Sequence, residues 1–454
     1  MEYCTKNSIN NSIKKQRKLI INSADGFNLL MNQSCIKSIL EQSMPDHRER
    51  IFTPTFTLHV FNRQVMGLNK SCRGALMEVL PEFLIRTRSS FSTNTGAYCK
   101  ARQRLPESFI SDMVKSSGDY LQKMTSKAFK WKEREVKIVD GTTASMPDTL
   151  ENQERYPQNP AQKTGLGFPI TRLTAIISLS SGAVLNIAIG DYHSSEHGLL
   201  REMLDQLSEG DILLGDRYYC SYFLLAHLQK LNIDAVFKIN ANRKIDFRIG
   251  QRLGPHDHVV AWKKNQRPTW MDKETYDGLP SVIYMREIKK GKNIIVTTLL
   301  DAEKYSKNEL IALYAQRWQI ELDLRSIKEV MGMSILRCKT PAMIRKEVWM
   351  YMLVYNLIRL ILVQCTLVHK ICPRNLSFMA ALQAIPSFYK VIKINKDKEI
   401  RQILYQHLLI AIIQHPIGNR PGRIEPREVK RRPKTYKLLL KPRKIAKQRL
   451  LARR

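Results

Sequence analysis

The chain has 454 residues, 43% of them hydrophobic, enough for two or three domains with a substantial core. Its 74 Lys and Arg against 41 Asp and Glu leave a formal net charge of +33, which points to a polyanionic partner, more commonly nucleic acid than a membrane surface or an acidic protein. The eight cysteines (Cys4, Cys35, Cys72, Cys99, Cys220, Cys338, Cys365 and Cys372) form no C-x-x-C pair, which argues against zinc ligation and against a disulfide framework.

In chain order, residues 1–132 read as a helical, basic N-terminal domain, either DNA-binding or simply accessory. Within it, YCKARQRLPESFISDMV predicts one helix ending before Pro106 and another beginning after it. At Val136 the pattern changes. VKIVD predicts a short strand with Asp140 at its C-terminal end, followed by a loop. TRLTAIISLS and AVLNIAIG form a hairpin about Ser181-Gly182, and Ser194 or Ser195 caps a helix with Leu199, Leu200, Met203, Leu204 and Leu207 on its apolar face. DILLG is a buried strand ending at Asp216, and a further helix and the strand IDAVFKI follow. The order strand, hairpin, helix, strand, helix, strand predicts an α/β (α+β) fold with a mixed sheet flanked by helices. Residues 240–305 read as an inserted β-rich domain, 133–239 with 306–390 as the catalytic core, and 391–454 as a helical, basic C-terminal tail.

Ser306 and Glu309 form a capping-box pattern that opens a long helix to about Gly332. Val348–Val368 is apolar enough to imitate a membrane span, but Asn356, Arg359 and Gln364 make it a buried core helix instead. No membrane association is therefore expected, and with no export signal at the N-terminus the chain is placed in the cytoplasm.

The helix after Ser306 carries Tyr314, Arg317, Glu321, Arg325 and Lys328. At about 100° per residue these lie within an arc of about 80°. Such a stripe by itself also suits a solvated face with i,i+4 ion pairs. Together with two strand-end aspartates, however, it supplies the oxygen ligands for two hard cations. The cations on the same helix would hold phosphate, Arg in bidentate fashion. Asp140, Asp216 and Glu321 are thus the candidate catalytic and metal-binding set.

The spacing Tyr314-x2-Arg317-x3-Glu321-x6-Lys328 resembles the Tyr-Arg-Glu-Lys signature of a large family of bacterial insertion-sequence transposases of the DDE type, family number four in the usual naming. IVDGTTASMPDT, NQERYPQ, QKTGLGFP, GDRYYCSY, YAQRWQIELDLRSIKEVMGM, YCKARQRLP and RPTWMDKETY are similar to its conserved words, from about residue 50 onward. The resemblance implies a ribonuclease H-like core, use of Mg²⁺ (two ions, Mn²⁺ substituting), and cleavage and strand transfer at the element's terminal inverted repeats. It further implies cut-and-paste through a DNA hairpin, a homodimer that pairs the two ends on double-stranded DNA, and a bacterial cytoplasmic, nucleoid-associated location. By the family's pattern Asp140, Asp216 and Glu321 bind metal, and Tyr314, Arg317 and Lys328 contact the backbone near the cut.

Relatives flip a base out of the stack, and Trp318, Trp262 and Trp270 are candidate stacking partners, each equally readable as a core or surface residue. Arg217 and Lys163 could reach phosphate, or be ordinary surface cations. His193 and His197 read as structural. Residues 420–454 hold 15 Lys and Arg against two Glu, a run suited to sequence-independent DNA affinity. Two other readings stay open: a related-fold nuclease that does not join strands, and a catalytically silent DNA-binding protein.

Overall fold

The computed structural model describes residues 51–67, 69–291, 293–369, 371–418 and 438–452. Four helices lead in: α1 (Pro54–Met66), α2 (Cys72–Thr87), α3 (Thr95–Arg104) and α4 (Glu107–Met124). Pro106 separates α3 from α4, as the sequence predicts. Much of the expected N-terminal domain, with Cys4 and Cys35, lies outside the described residues.

One mixed nine-stranded sheet then carries the molecule, in the order β3-β2-β1-β4-β5-β9-β8-β7-β6. Its first half comprises β1 (Val136–Ser145), β2 (Ile170–Ser178), β3 (Val184–Gly190), β4 (Ile212–Gly215) and β5 (Asp234–Lys238). Gly182, at φ +74°, turns the β2–β3 hairpin, a conformation that costs glycine little. The helix capped by Ser195 is shorter than its apolar residues suggest. α6 covers Glu196–Arg201 (after α5, Leu150–Arg155), and Leu204 falls in a separate 3₁₀ turn.

The segment expected to form an inserted β domain builds β6 (Gln251–Gly254), β7 (Asp257–Lys263), β8 (Val282–Lys290) and β9 (Asn293–Thr297). These strands extend the same sheet, because β9 pairs antiparallel with β5 through Val236↔Thr297. Inserted in sequence, they are continuous with the core in hydrogen bonding. α7 (Tyr222–Lys230) connects β4 to β5 in the first half, and α8 (Lys273–Asp277) lies between β7 and β8.

Two expectations change. β1 does not stop at Asp140 but runs on to Ser145, so Asp140 lies mid-strand, paired with Ala175 of β2. The reason is the hairpin: β2 supplies a partner along the whole of β1, whereas β4 pairs only Val136–Ile138. The long helix after Ser306 is also broken. The capping box is present, but α9 (Lys307–Ala315) ends in single tight turns at Gln316 and Arg317. α10 (Trp318–Arg325) follows, then a π-helical turn over Ser326–Val330. Such irregular turns re-aim side chains that a straight helix would leave in one row.

Helix α11 (Pro341–His369) is long and apolar enough to cross a membrane, yet its apolar stretch is buried within the protein. Two of its polar side chains are satisfied there: Asn356 Nδ2 donates to Val184 O (2.8 Å), and Arg359 donates to Asp323 and Tyr355. α12 (Phe378–Ile394), α13 (Lys398–Ile413) and α14 (Arg443–Leu451) follow. The core lies on both sheet faces. Ile138 and Leu214 join α10 and α11 residues on one, while Val139 and Leu213 join Leu199 and Leu200 of α6 on the other.

Candidate active site

Asp140 and Asp216 are neighbours because β1 and β4 are parallel and in register. Ile138 pairs with Leu214, and each aspartate stands two residues further on. Side chains alternate along a strand, so Asp140 shares the face of Ile138, the face covered by Ile320, Leu324 and Ile327 of the α10 segment. Glu321 is presented from that helix. Arg317 ties the two layers together: Nη2 lies 2.7 Å from Glu321 Oε1, and Nη1 lies 3.5 Å from Asp140 Oδ2.

Burial pushes the Asp140 carboxyl up to about 6, against the Gly141 N–H and Arg317, with the negative charges of Asp216 and Glu196 adding to the rise. Tyr314 is half-buried and its phenol is raised by burial, with Arg317, Asp216 and Arg217 all within electrostatic reach. Asp140, Asp216, Glu321, Tyr314, Arg317 and Arg217 therefore converge.

The other expected residues are placed less centrally. Arg325 and Trp318 are exposed on α10, Trp318 to 48%. Lys328 lies in the π-helical turn, and Lys163 is exposed in the loop before β2. Trp262 is not available for stacking: it is buried, donates to Glu287 Oε1 (2.9 Å), and lies under Arg243. Trp270 is exposed but covered on one face by Arg201 at 3.9 Å. His197 has a structural role, with Nε2 2.5 Å from Tyr218 O and its ring against Tyr218 and Tyr219.

Glu196 is the acid that sequence reasoning passed over. Its carboxylate lies against Gly141, where an added Cβ would stand 2.2 Å from its Cδ. The buried Tyr219 hydroxyl donates to Glu196 Oε2 (3.1 Å). Glu196 thus approaches Asp140 from the opposite sheet face. The only sequence signal was its place directly after the N-cap Ser195.

No group of three or more metal-ligating side chains stands closed around one point among the described residues. The donor set still suits hard cations. Asp140 is a carboxyl whose ionisation is disfavoured by burial and by two negative neighbours, and Arg317 supplies the positive charge between Asp140 and Glu321.

The family model described as transposase DDE domain matches residues 131–357, half of the chain and the whole of this site. The chain belongs to that family. Within the DDE family it is 26% identical over 270 residues to the InsG transposase of insertion sequence element IS4 from Escherichia coli, covering 58% of this chain and 60% of that one. It is 24% identical over 248 residues to a Synechocystis chain assigned to insertion sequence element IS4SA, covering 54% and 65%. The chain thus spans just under two thirds of the length of these relatives. A cryo-EM structure of a piggyBac transposase synaptic complex with hairpin DNA aligns over 90% of this DDE-family chain and 87% of that one, with a TM-score of 0.40 and 8% identity.

Proposed function

We propose that this chain is a transposase that cleaves double-stranded DNA at the terminal inverted repeats of its own element and joins the ends to target DNA. The reading rests on one observation above the rest. Asp140 on β1 and Asp216, one residue past the end of the parallel strand β4, lie on the sheet against a packed helix that carries Glu321, with Arg317 bonded to Glu321 and 3.5 Å from Asp140, inside the family match. The strand order β3-β2-β1-β4-β5 supports a ribonuclease H-like core, with residues 240–305 inserted in sequence and the N-terminal helices serving DNA binding.

In this reading Asp140, Asp216 and Glu321 hold two Mg²⁺ ions, for which Mn²⁺ substitutes. Bound divalent cations activate a nucleophilic oxygen and neutralise charge at the phosphodiester. The chain's own residues do the positioning. Arg317 orients Glu321 through its 2.7 Å hydrogen bond and presents a guanidinium to the backbone. Tyr314, Lys328, Arg217 and Arg325 line the approach as further backbone contacts, with Lys163 on the loop before β2. Trp318, exposed beside Arg317, is the stacking surface for a flipped base at a hairpin end. The working unit is a homodimer pairing two ends, in the bacterial cytoplasm on the nucleoid and away from membranes.

Excision of a marked element from its native flanks tests the reading, comparing wild type with Glu321→Gln in Mg²⁺. The variant keeps its shape and DNA binding and loses about 100-fold or more of its activity, the scale of removing one preorganised charge contact. Equal excision by both would remove Glu321 from the site. Binding without excision by either would leave a silent DNA-binding protein.

A further inference from the structure

A cavity of about 470 Å³ opens between the start of α2, the end of α3 and the loop leading into α11, and none of the three carboxylates lines it. Lys70, Arg102, Arg337 and Lys339 line it, and no Asp or Glu does among the described residues. None of these four cations forms an ion pair among the described residues. Glu347 lies behind the wall, but its carboxylate is taken up by the Arg337 and Cys338 backbone N–H groups at 2.8–3.0 Å.

Arg102 is the unusual member. It is 7% exposed and sandwiched between the Phe61 and Tyr98 rings at 5.0 Å. Nη1 donates to Gln64 Oε1 (3.1 Å), Nη2 meets only the Cys72 and Cys99 thiols at 3.3 and 3.6 Å, and Nε has no partner. A guanidinium taken out of water with thiols and an amide as its hydrogen-bonding partners has no carboxylate in direct contact, and Glu347 acts on it only from behind the wall. Helices α2 and α11 both begin at the cavity wall, so their positive ends add to the field. Burial, then the Arg337 guanidinium, pushes the Lys70 ammonium down to about 8, against the opposing pull of the Glu347 carboxylate. The Arg102 guanidinium among the Cys72, Cys99 and Cys338 sulfurs disfavours a cation at these thiols.

We propose that this cavity is a phosphate-binding site and that it holds one backbone phosphodiester of bound DNA, away from the carboxylates. The DNA source rests on the function proposed above; the anion site rests on the cavity alone. A backbone clamp here fixes the duplex relative to the catalytic residues, because the Arg337–Lys339 loop follows Ile335, which bridges to Ser145 at the end of β1.

Cys72 and Cys99 face the cavity partly exposed and serve as reporters. The full chain is treated with N-ethylmaleimide, with and without a short DNA duplex or inorganic phosphate, and labelling is read by peptide mass mapping. Duplex binding is followed separately by fluorescence anisotropy. The duplex slows labelling of both cysteines several-fold. The Arg337→Gln/Lys339→Gln double variant, altered only at exposed loop positions, loses the protection, and its log–log salt slope falls by about one. Arg102→Met does the same if it folds. Protection by phosphate as well as duplex supports the site as phosphate chemistry. Protection by phosphate alone assigns it to a free anion and overturns the DNA role. Duplex that binds without protecting overturns the site and leaves the function standing, whereas absence of duplex binding removes the nucleic-acid reading itself.

Discussion

At Gly141 the absence of a side chain lets the Glu196 carboxylate lie against the backbone beside Asp140, where an added Cβ would meet it at 2.2–2.5 Å. Gly141→Ala should therefore displace the flexible end of Glu196 and lower stability by about 1 kcal/mol, the low end of an overpacking cost. In a Glu196→Ala background the cost should fall by more than half, since the clash has been removed. Thermal unfolding of the four proteins checks this double-mutant cycle; an equal cost in both backgrounds would show that the two residues do not meet. Asp140 lies mid-strand, and an unbroken β1 holds its side chain more rigidly than the strand-end position expected from VKIVD.

Asp323, two residues beyond Glu321, decides where helix α10 sits. It is 1% exposed and accepts from Arg374 Nη1 with both oxygens at 2.7 Å, from Tyr355 at 2.8 Å, and from Arg359. Arg374 also donates to Ser178 and Leu179 at the hairpin end of β2, so one carboxylate joins α10, α11 and the sheet. Burial alone would raise this carboxyl, but Arg374 and Arg359 outweigh it and hold it below its ordinary 3.8. A carboxyl with a lowered folded-state pKa contributes its full stability above its unfolded value, near pH 4, and loses it as pH falls. Asp323→Ala should cost about 3–5 kcal/mol at pH 7, because two buried cations lose their partner. Its deficit relative to wild type should shrink below pH 4. Denaturant midpoints at pH 7 and pH 3.5 test this, and a deficit independent of pH would mean that the cluster is not charged.

Across the whole molecule, the charge of +33 should make the proposed DNA binding strongly salt-dependent, since each neutralised phosphate releases counter-ions. The basic run at 420–454 is a large share of that excess, although 419–437 lie outside the described residues. Truncation after Ile417 should flatten the slope of log affinity against log salt while leaving the catalytic residues in place. An unchanged slope would show that the tail does not touch DNA.

Local pattern was enough for the order and type of strands and the hairpin of the sheet's first half, though not for the run of β1 past Asp140, and for the buried reading of α11 and the capping box at Ser306. These depend on alternation, turn residues and caps within a few positions of one another. The Tyr314–Lys328 spacing singled out the right segment, but a continuous helical stripe was too simple. Tight turns at Gln316 and Arg317 and the π-helical turn answer to tertiary packing and leave no local signature. Convergence of Asp140, Asp216 and Glu321 needed the parallel register of β1 with β4, which no spacing along the chain encodes. Glu196 beside Gly141, the Asp323 cluster and the cation-lined cavity around Arg102 belong to the same class. Sequence alone determined the chemical inventory, the element types and the chain's own charge. Only the tertiary structure decided which charges meet and which are buried without a counter-ion, because Coulomb and desolvation energies depend on distance and burial, which the fold sets.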